Sequence, residues 1–254
     1  MGRFDEALQV VNQSIAAKAH PSNLSLKIWL QMSWQGDLGG ALATMKGMSV
    51  DDQLDDIGLA TVLSLYRWRR EPGNVLKTLA PISREWLTWS VRAPKAALTG
   101  DAFEELGQME AARAEWRKAL KSVDDRLIAG PNDRWMLEWK AYLLAALGDN
   151  ANARQVWKHA VGLPRVWGLL SFERIPRVGT HDDILAELEY RAAAPVLPGG
   201  ALERRPFISA ADLRLNPAWD RVRNTPRFRR LQEKLDADPR FSPRAAGEIA
   251  ASKQ

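Results

Sequence analysis

The chain has 254 residues, of which 46% are hydrophobic and 26% charged, so it is long enough and apolar enough to bury a core and lies outside the composition of disordered chains. It contains no cysteine, which excludes disulfides, thiolate zinc sites, iron–sulfur ligation and a cysteine nucleophile. The formal charge of +5 is uneven: residues 199–254 carry 12 Lys+Arg against 7 Asp+Glu, and subtraction from the totals of 36 and 31 leaves 24 against 24 in residues 1–198.

The N-terminal residues carry Asp5 and Glu6 and a broken apolar pattern, unlike a secretory signal. No stretch reaches the roughly 18 apolar residues of a spanning helix. A soluble, cytoplasmic protein is expected. Gly2-Arg-Phe-Asp-Glu-Ala7-Leu8 then opens a motif that recurs as Gly36-Asp-Leu-Gly-Gly-Ala41-Leu42, Gly107-Gln-Met-Glu-Ala-Ala112-Arg113 and Gly148-Asp-Asn-Ala-Asn-Ala153-Arg154. A degenerate copy, Arg70-Glu-Pro-Gly-Asn-Val75-Leu76, fills the gap between the second and third of these. The small positions Ala7, Ala41, Val75, Ala112 and Ala153 follow one another at steps of 34, 34, 37 and 41.

Four residues after each small position stands a larger apolar one: Val11, Met45, Leu79, Trp116 and Trp157. Three further on come Ser14, Met48, Ile82, Ala119 and Ala160. That spacing puts each trio on one helical face. A second helical segment precedes each of the last four stripes, at 24–35, 57–69, 93–106 and 134–147. The unit is therefore helix, tight turn, helix, with glycine supplying the left-handed residue that ends the first helix. Trp34 and Trp68 are one repeat apart, and Trp116 and Trp157 share a repeat position, which points to core packing. Trp135 is the exception, at the start of a first helix.

With a period near 34, these residues resemble the tetratricopeptide repeat family, whose unit of about 34 residues places small side chains where its two helices cross. The fourth copy carries the pattern best, in Ala96, Thr99, Gly100 and Phe103 followed by Gly107, Met109, Ala112, Trp116 and Ala119. The resemblance spans about residues 1–164. It implies an all-α, right-handed superhelical solenoid with a concave surface lined by the first helices. By the family's groove positions, Ser64 and Arg67, then Asp101 and Glu104, then Trp135, Glu138 and Tyr142 would face a partner. The Lys/Asn clamp that grips C-terminal carboxylates in chaperone-binding relatives is not found.

Beyond Pro164 the periodicity fades, and residues 165–200 read as an irregular connector with a short amphipathic helix from His181 and a Pro195, Pro198, Gly199, Gly200 link. In 201–238, Asn216-Pro217 and Thr225-Pro226 each read as an N-cap followed by proline at the first helical position, so two short capping helices begin there. Leu213, Leu215, Pro217, Trp219, Asp220, Pro226, Arg227 and Phe228 are similar to the closing segment that follows tetratricopeptide arrays in bacterial signalling proteins, where the array is joined to a protein kinase, a nucleotide cyclase or a winged-helix regulator. Leu213, Leu215, Trp219, Val222, Phe228 and Leu231 form an apolar set able to seal the end of an array. Residues 239–254 are expected to be a disordered tail.

Three histidines, His20, His159 and His181, lack metal-ligand spacing. The pairs Asp51-Asp52, Asp55-Asp56, Asp124-Asp125 and Asp182-Asp183 are expected at helix starts, where the helix dipole favours carboxylates. No phosphate-cradling loop or nucleophile elbow is present. The reading is a non-catalytic scaffold without metal or cofactor, binding a protein, a peptide or another domain of its own protein. The alternative is a nucleic-acid-associated regulator using the basic tail, disfavoured because Arg204, Arg205, Arg221, Arg223, Arg227, Arg229 and Arg230 are interrupted by Asp220 and apolar residues. Residues 3–19 supply only the second helix of a unit. The stripe Phe4, Leu8, Val11 and Ile15 is therefore expected to self-associate or fray, and the chain to be part of a longer protein.

Overall fold

The computed structural model describes residues 4–18, 20–87, 93–163, 175–193 and 208–243. They are almost wholly helical, which makes the protein all-α. None of their helices is long and apolar enough to cross a membrane. Two compact units emerge: residues 1–70 with 185–254, and residues 71–184. This division cuts across the expected boundary of an array at 164.

In the first unit, α1 (Phe4–Ala17) packs on α2 (Pro21–Leu30), which runs into a π-helical turn (Gln31–Gln35). α3 (Leu38–Lys46), α4 (Val50–Leu54) and α5 (Asp56–Trp68) follow. Ile28, Met32, Ala41, Met45, Met48, Val62, Leu65 and Trp68 form one buried cluster, with Leu215 packed against it. The second unit holds α6 (Pro72–Leu79), a pair of two-residue antiparallel strands β1 (Trp86–Leu87) and β2 (Ala93–Pro94), then α7 (Lys95–Glu105), α8 (Met109–Ala129), α9 (Arg134–Ala146), α10 (Asn150–Gly162) and α11 (Ile175–Val178). From α6 to α10 each helix packs on the next. α12 (His181–Ala193) carries the chain back into the first unit, which ends in α13 (Ala210–Leu215), a 3-10 turn (Pro217–Trp219), α14 (Asp220–Arg223) and α15 (Pro226–Asp236).

The repeat motif has a consistent physical identity. Gly36, Gly107 and Gly148 adopt φ of 70°, 74° and 93°, and Arg70, which holds the glycine position in the degenerate copy, adopts φ 60°. After Gly107 and Gly148 the chain doubles back through Gln108 N–H to the Phe103 carbonyl (2.8 Å) and Asp149 N–H to the Leu144 carbonyl (2.9 Å), which satisfies carbonyls that a helix end leaves orphaned. A non-glycine residue in this conformation costs about 1–2 kcal/mol, so the fold imposes the turn on Arg70 against local preference. The crossing positions Ala41, Val75, Ala112 and Ala153 are 0–2% exposed, and Met45, Leu79 and Trp116 beside them are equally enclosed. Trp157 is only half-buried, contrary to the burial expected from its equivalence with Trp116.

In the first copy the stripe is partly covered: Val11 is buried, Leu8 and Ile15 are half-buried, and Phe4 stacks on Trp34 at 4.6 Å. The capping expectations hold at Asn216, whose side chain accepts from Ala218 N–H (3.0 Å), and at Thr225, which accepts from Phe228 N–H (3.2 Å). Asp55 caps α5, while Asp51 and Asp52 sit in the first turn of α4 and Asp182 and Asp183 in that of α12. Asp124 and Asp125 depart from expectation. Nothing interrupts α8 before Gly130, so both lie inside it, paired with Lys140 and Lys121 at 2.8 Å each.

Within the first unit, α13 packs against the π-turn, with Ala211 and Leu215 over Gly36 and the Ser209 hydroxyl donating to the Ser33 carbonyl. Residues 239–243 are not part of a disordered tail, because Phe241 is buried and its carbonyl accepts from Ala210 N–H at 3.0 Å. The expected link at Pro195, Pro198, Gly199 and Gly200 lies outside the described residues, as does the 244–254 part of the tail.

Candidate functional site

Three of the groove candidates converge in the second unit. Asp101 and Glu104 are three residues apart on α7, which puts both carboxylates on one side of the helix. Trp116 of α8 lies beneath them, fully buried against Gly100, and its Nε1–H donates to Asp101 Oδ1 at 3.0 Å. Tyr142 arrives from α9.

Into this setting α11, which packs on α9 and α10, brings Arg177. Its guanidinium carbon lies 4.7 Å from the Trp116 ring centre and 4.9 Å from that of Tyr142. Its Nη2 pairs with Glu104 Oε2, and its Nη1 stands 3.9 Å from Asp101 Oδ1, buried and without a hydrogen-bond partner. Burial works against the Arg177 charge, but Tyr142, Asp101 and Glu104 outweigh it and hold the guanidinium pKa above its ordinary value. Two carboxylates and two aromatic faces around one planar cation is chemistry that selects a guanidinium, through ion pairing on the edge and cation–π contact on the face. The arginine holds its proton, so the cluster suits recognition and not proton transfer.

The remaining candidates fall elsewhere. Trp135 and Glu138 are 3% and 4% exposed, and Glu138 pairs with Arg134 at 2.9 Å. Arg134 also reaches the Leu163 carbonyl at 2.7 Å, tying the start of α9 to the end of α10. The expectation that Asp101, Trp135, Glu138 and Tyr142 face an open groove is therefore corrected. α9 is packed by α8, α10 and α11, and a helix enclosed on three sides buries more than one stripe. Glu104 alone of the second unit's candidates is half-exposed. Ser64, buried, and Arg67, half-buried, lie on α5 of the first unit.

Arg177 was hidden in sequence by the faded periodicity around Pro176. The usable signal was the pair of carboxylates on one helix side, which calls for a cation. Among the described residues, no group of three His, Asp or Glu side chains is placed to hold a metal ion. His20 accepts from Ser22 N–H at 3.3 Å, and His159 contacts Asn132 at 3.1 Å.

Four of the seven described arginines of the basic C-terminal segment pair with acids. Arg223 pairs with Asp220 (3.1 Å), Arg227 with Glu189 (2.6 Å), Arg240 with Asp238 (2.5 Å) and Arg214 with Asp236, while Asp220 also takes a two-pronged bond from Arg70 (2.5 and 2.8 Å). Arg229 and Arg230 are exposed; Arg204 and Arg205 lie outside the described residues. The chain matches no family model, no curated protein and no solved structure.

Proposed function

We propose that this protein is a protein-binding scaffold built from tetratricopeptide-like helical hairpins, a recruiting or sensory module of a bacterial regulatory system, acting in the cytoplasm and not itself catalytic. The observation that carries the reading is the acidic, aromatic-floored site of α7–α9, in which Asp101, Glu104 and Tyr142 stand at positions that line the groove in the repeat family and which holds a short segment of polypeptide, α11, by one arginine. The regular recurrence of the left-handed turn supports the repeat assignment, and a superhelical course of the hairpins is part of the same proposal. The nucleic-acid reading is weaker, because phosphate binding draws on unpaired cations and four of the seven described arginines of the basic segment are ion-paired.

The test is affinity retention on the immobilised protein against its Glu104→Lys variant. A defined partner should bind saturably to the parent, be released by the variant, and leave the variant's melting temperature within a few degrees. Absence of any saturable partner, or equal retention by both proteins, refutes the reading.

A further inference from the structure

The α7–α9 site is more specific than a generic groove. We infer that it is an arginine-reading pocket for a partner peptide, occupied in this chain by its own Arg177 as a stand-in. The inference deepens the scaffold reading above and rests on it, since it names the partner's chemistry.

The pocket is built for the group it holds. Asp101 and Glu104 contribute two negative charges against the single positive charge of Arg177, so the site stays acidic when filled. The Trp116 and Tyr142 rings lie within 5 Å of the guanidinium carbon, inside cation–π range, and a planar, weakly hydrated guanidinium suits two such faces better than the compact, strongly hydrated ammonium of Lys. The hydrogen bond from Trp116 to Asp101 ties floor and wall of the pocket together without drawing on Arg177.

The occupant is lightly held by comparison. α11 is four residues long, too short to be helical on its own, and of its residues Val178 is buried while Arg177 is half-buried. Arg177 satisfies one of its donor groups on Glu104 but not the other, because Nη1 is buried without a hydrogen-bond partner among the described residues. An arginine free to choose its backbone position can turn that group toward Asp101. Belonging to the same chain compensates for this fit, since an intramolecular segment reaches its site at an effective concentration of about millimolar. A peptide in trans has to compete with it, and its apparent affinity falls by the fraction of time the pocket is open.

The probe is a fluorescein-labelled peptide of the chain's own residues 172–182, measured by anisotropy on the full chain. Arg177→Ala should bind it about tenfold or more tighter than the parent, as expected for a pocket otherwise open less than a tenth of the time. Adding Glu104→Gln to that variant should cancel the gain. Alanine at position 177 of the peptide should abolish binding, and alanine at position 174 should not. A folded Arg177→Ala chain that binds no better than the parent overturns the inference. Should that variant not fold, hydrogen exchange on the parent decides: saturating peptide should speed exchange in residues 177–179 while α7 and α9 stay protected, and unchanged exchange overturns the inference. A random peptide mixture lacking arginine separates the two readings. If it binds Arg177→Ala as well as the labelled probe does, the arginine inference falls and the scaffold stands. If neither binds saturably, both fall.

Discussion

Replacing Gly100 by Ala sets two well-understood effects against each other. Gly100 sits inside α7, where alanine ordinarily stabilises a helix by about 1 kcal/mol. Here the added Cβ would stand 2.5 Å from Trp116 Cδ1, 2.6 Å from its Nε1 and 3.1 Å from the Ala112 carbonyl oxygen. The indole has nowhere to retreat, being fully buried, bonded to Asp101 at 3.0 Å and covered by Arg177. Overpacking a filled core costs about 1–3 kcal/mol, and tilting the ring off Asp101 adds about 1 kcal/mol for the lost hydrogen bond. Subtracting the helix gain leaves a net loss of about 1–3 kcal/mol. Urea denaturation, with hydrogen exchange resolving α7 and α8, measures it directly. The narrower ring of Trp116→Phe should relieve the clash, so the double-mutant cycle should show coupling above about 0.5 kcal/mol. A Gly100→Ala protein more stable than its parent would show that Trp116 does not press on α7 and that the pocket floor is misassigned.

Trp116→Ala should cost about 3–5 kcal/mol, whereas half-buried Trp157→Ala should cost less than half as much; equal losses in the same denaturation series would contradict the burial difference. Thr225→Ala removes the cap bond to Phe228 N–H and should lower stability by about 1 kcal/mol, read as a shift in urea midpoint. The Asp220 carboxyl is held below its ordinary value of 3.8, first by the hydrogen bond from Arg70 and then by Arg223. Because the folded value is the lower one, the pair's contribution is present above about 3.8 and disappears as pH falls through the folded value. Both partners are about half exposed, so screening keeps that contribution below about 1 kcal/mol. The melting gap between the parent and Arg70→Gln should therefore narrow on going from pH 7 to pH 2.5, and a gap that widens would reverse the assignment.

Local physics was legible in the sequence, and distant packing was not. The turn positions at 36, 70, 107 and 148 and the first-helix spans could be read because a left-handed C-cap and an i, i+4 stripe are properties of a few neighbouring residues. The same holds for the caps at Asn216 and Thr225. Trp116 and Trp157 show the limit, since identical repeat positions have different burial. Nothing in the periodicity says which neighbour covers the outer face of the last helix. The groove candidates Asp101 and Tyr142 show the same limit: they occupy positions that would be open in a bare hairpin, and a four-residue helix later in the chain closes them. The docking of α13 on the π-turn depends on partners 176 residues apart, which no window-based reading can join.

That long return has a consequence for the order in which the protein takes shape on the ribosome. Residues 31–36 leave the exit tunnel long before Ser209, Ala211 and Leu215, the groups that cover them, have been synthesised. At translation rates of 5–20 residues per second the interval is about 10–35 s, far longer than a small helical bundle needs to collapse. During that window the bottom of the first unit is an uncovered apolar patch around Gly36 and Leu38, while the second unit, contiguous in sequence, can finish folding on its own schedule. A nascent chain stalled before residue 208 should therefore bind a holdase chaperone through its N-terminal helices, and release should coincide with the emergence of α13 and α15.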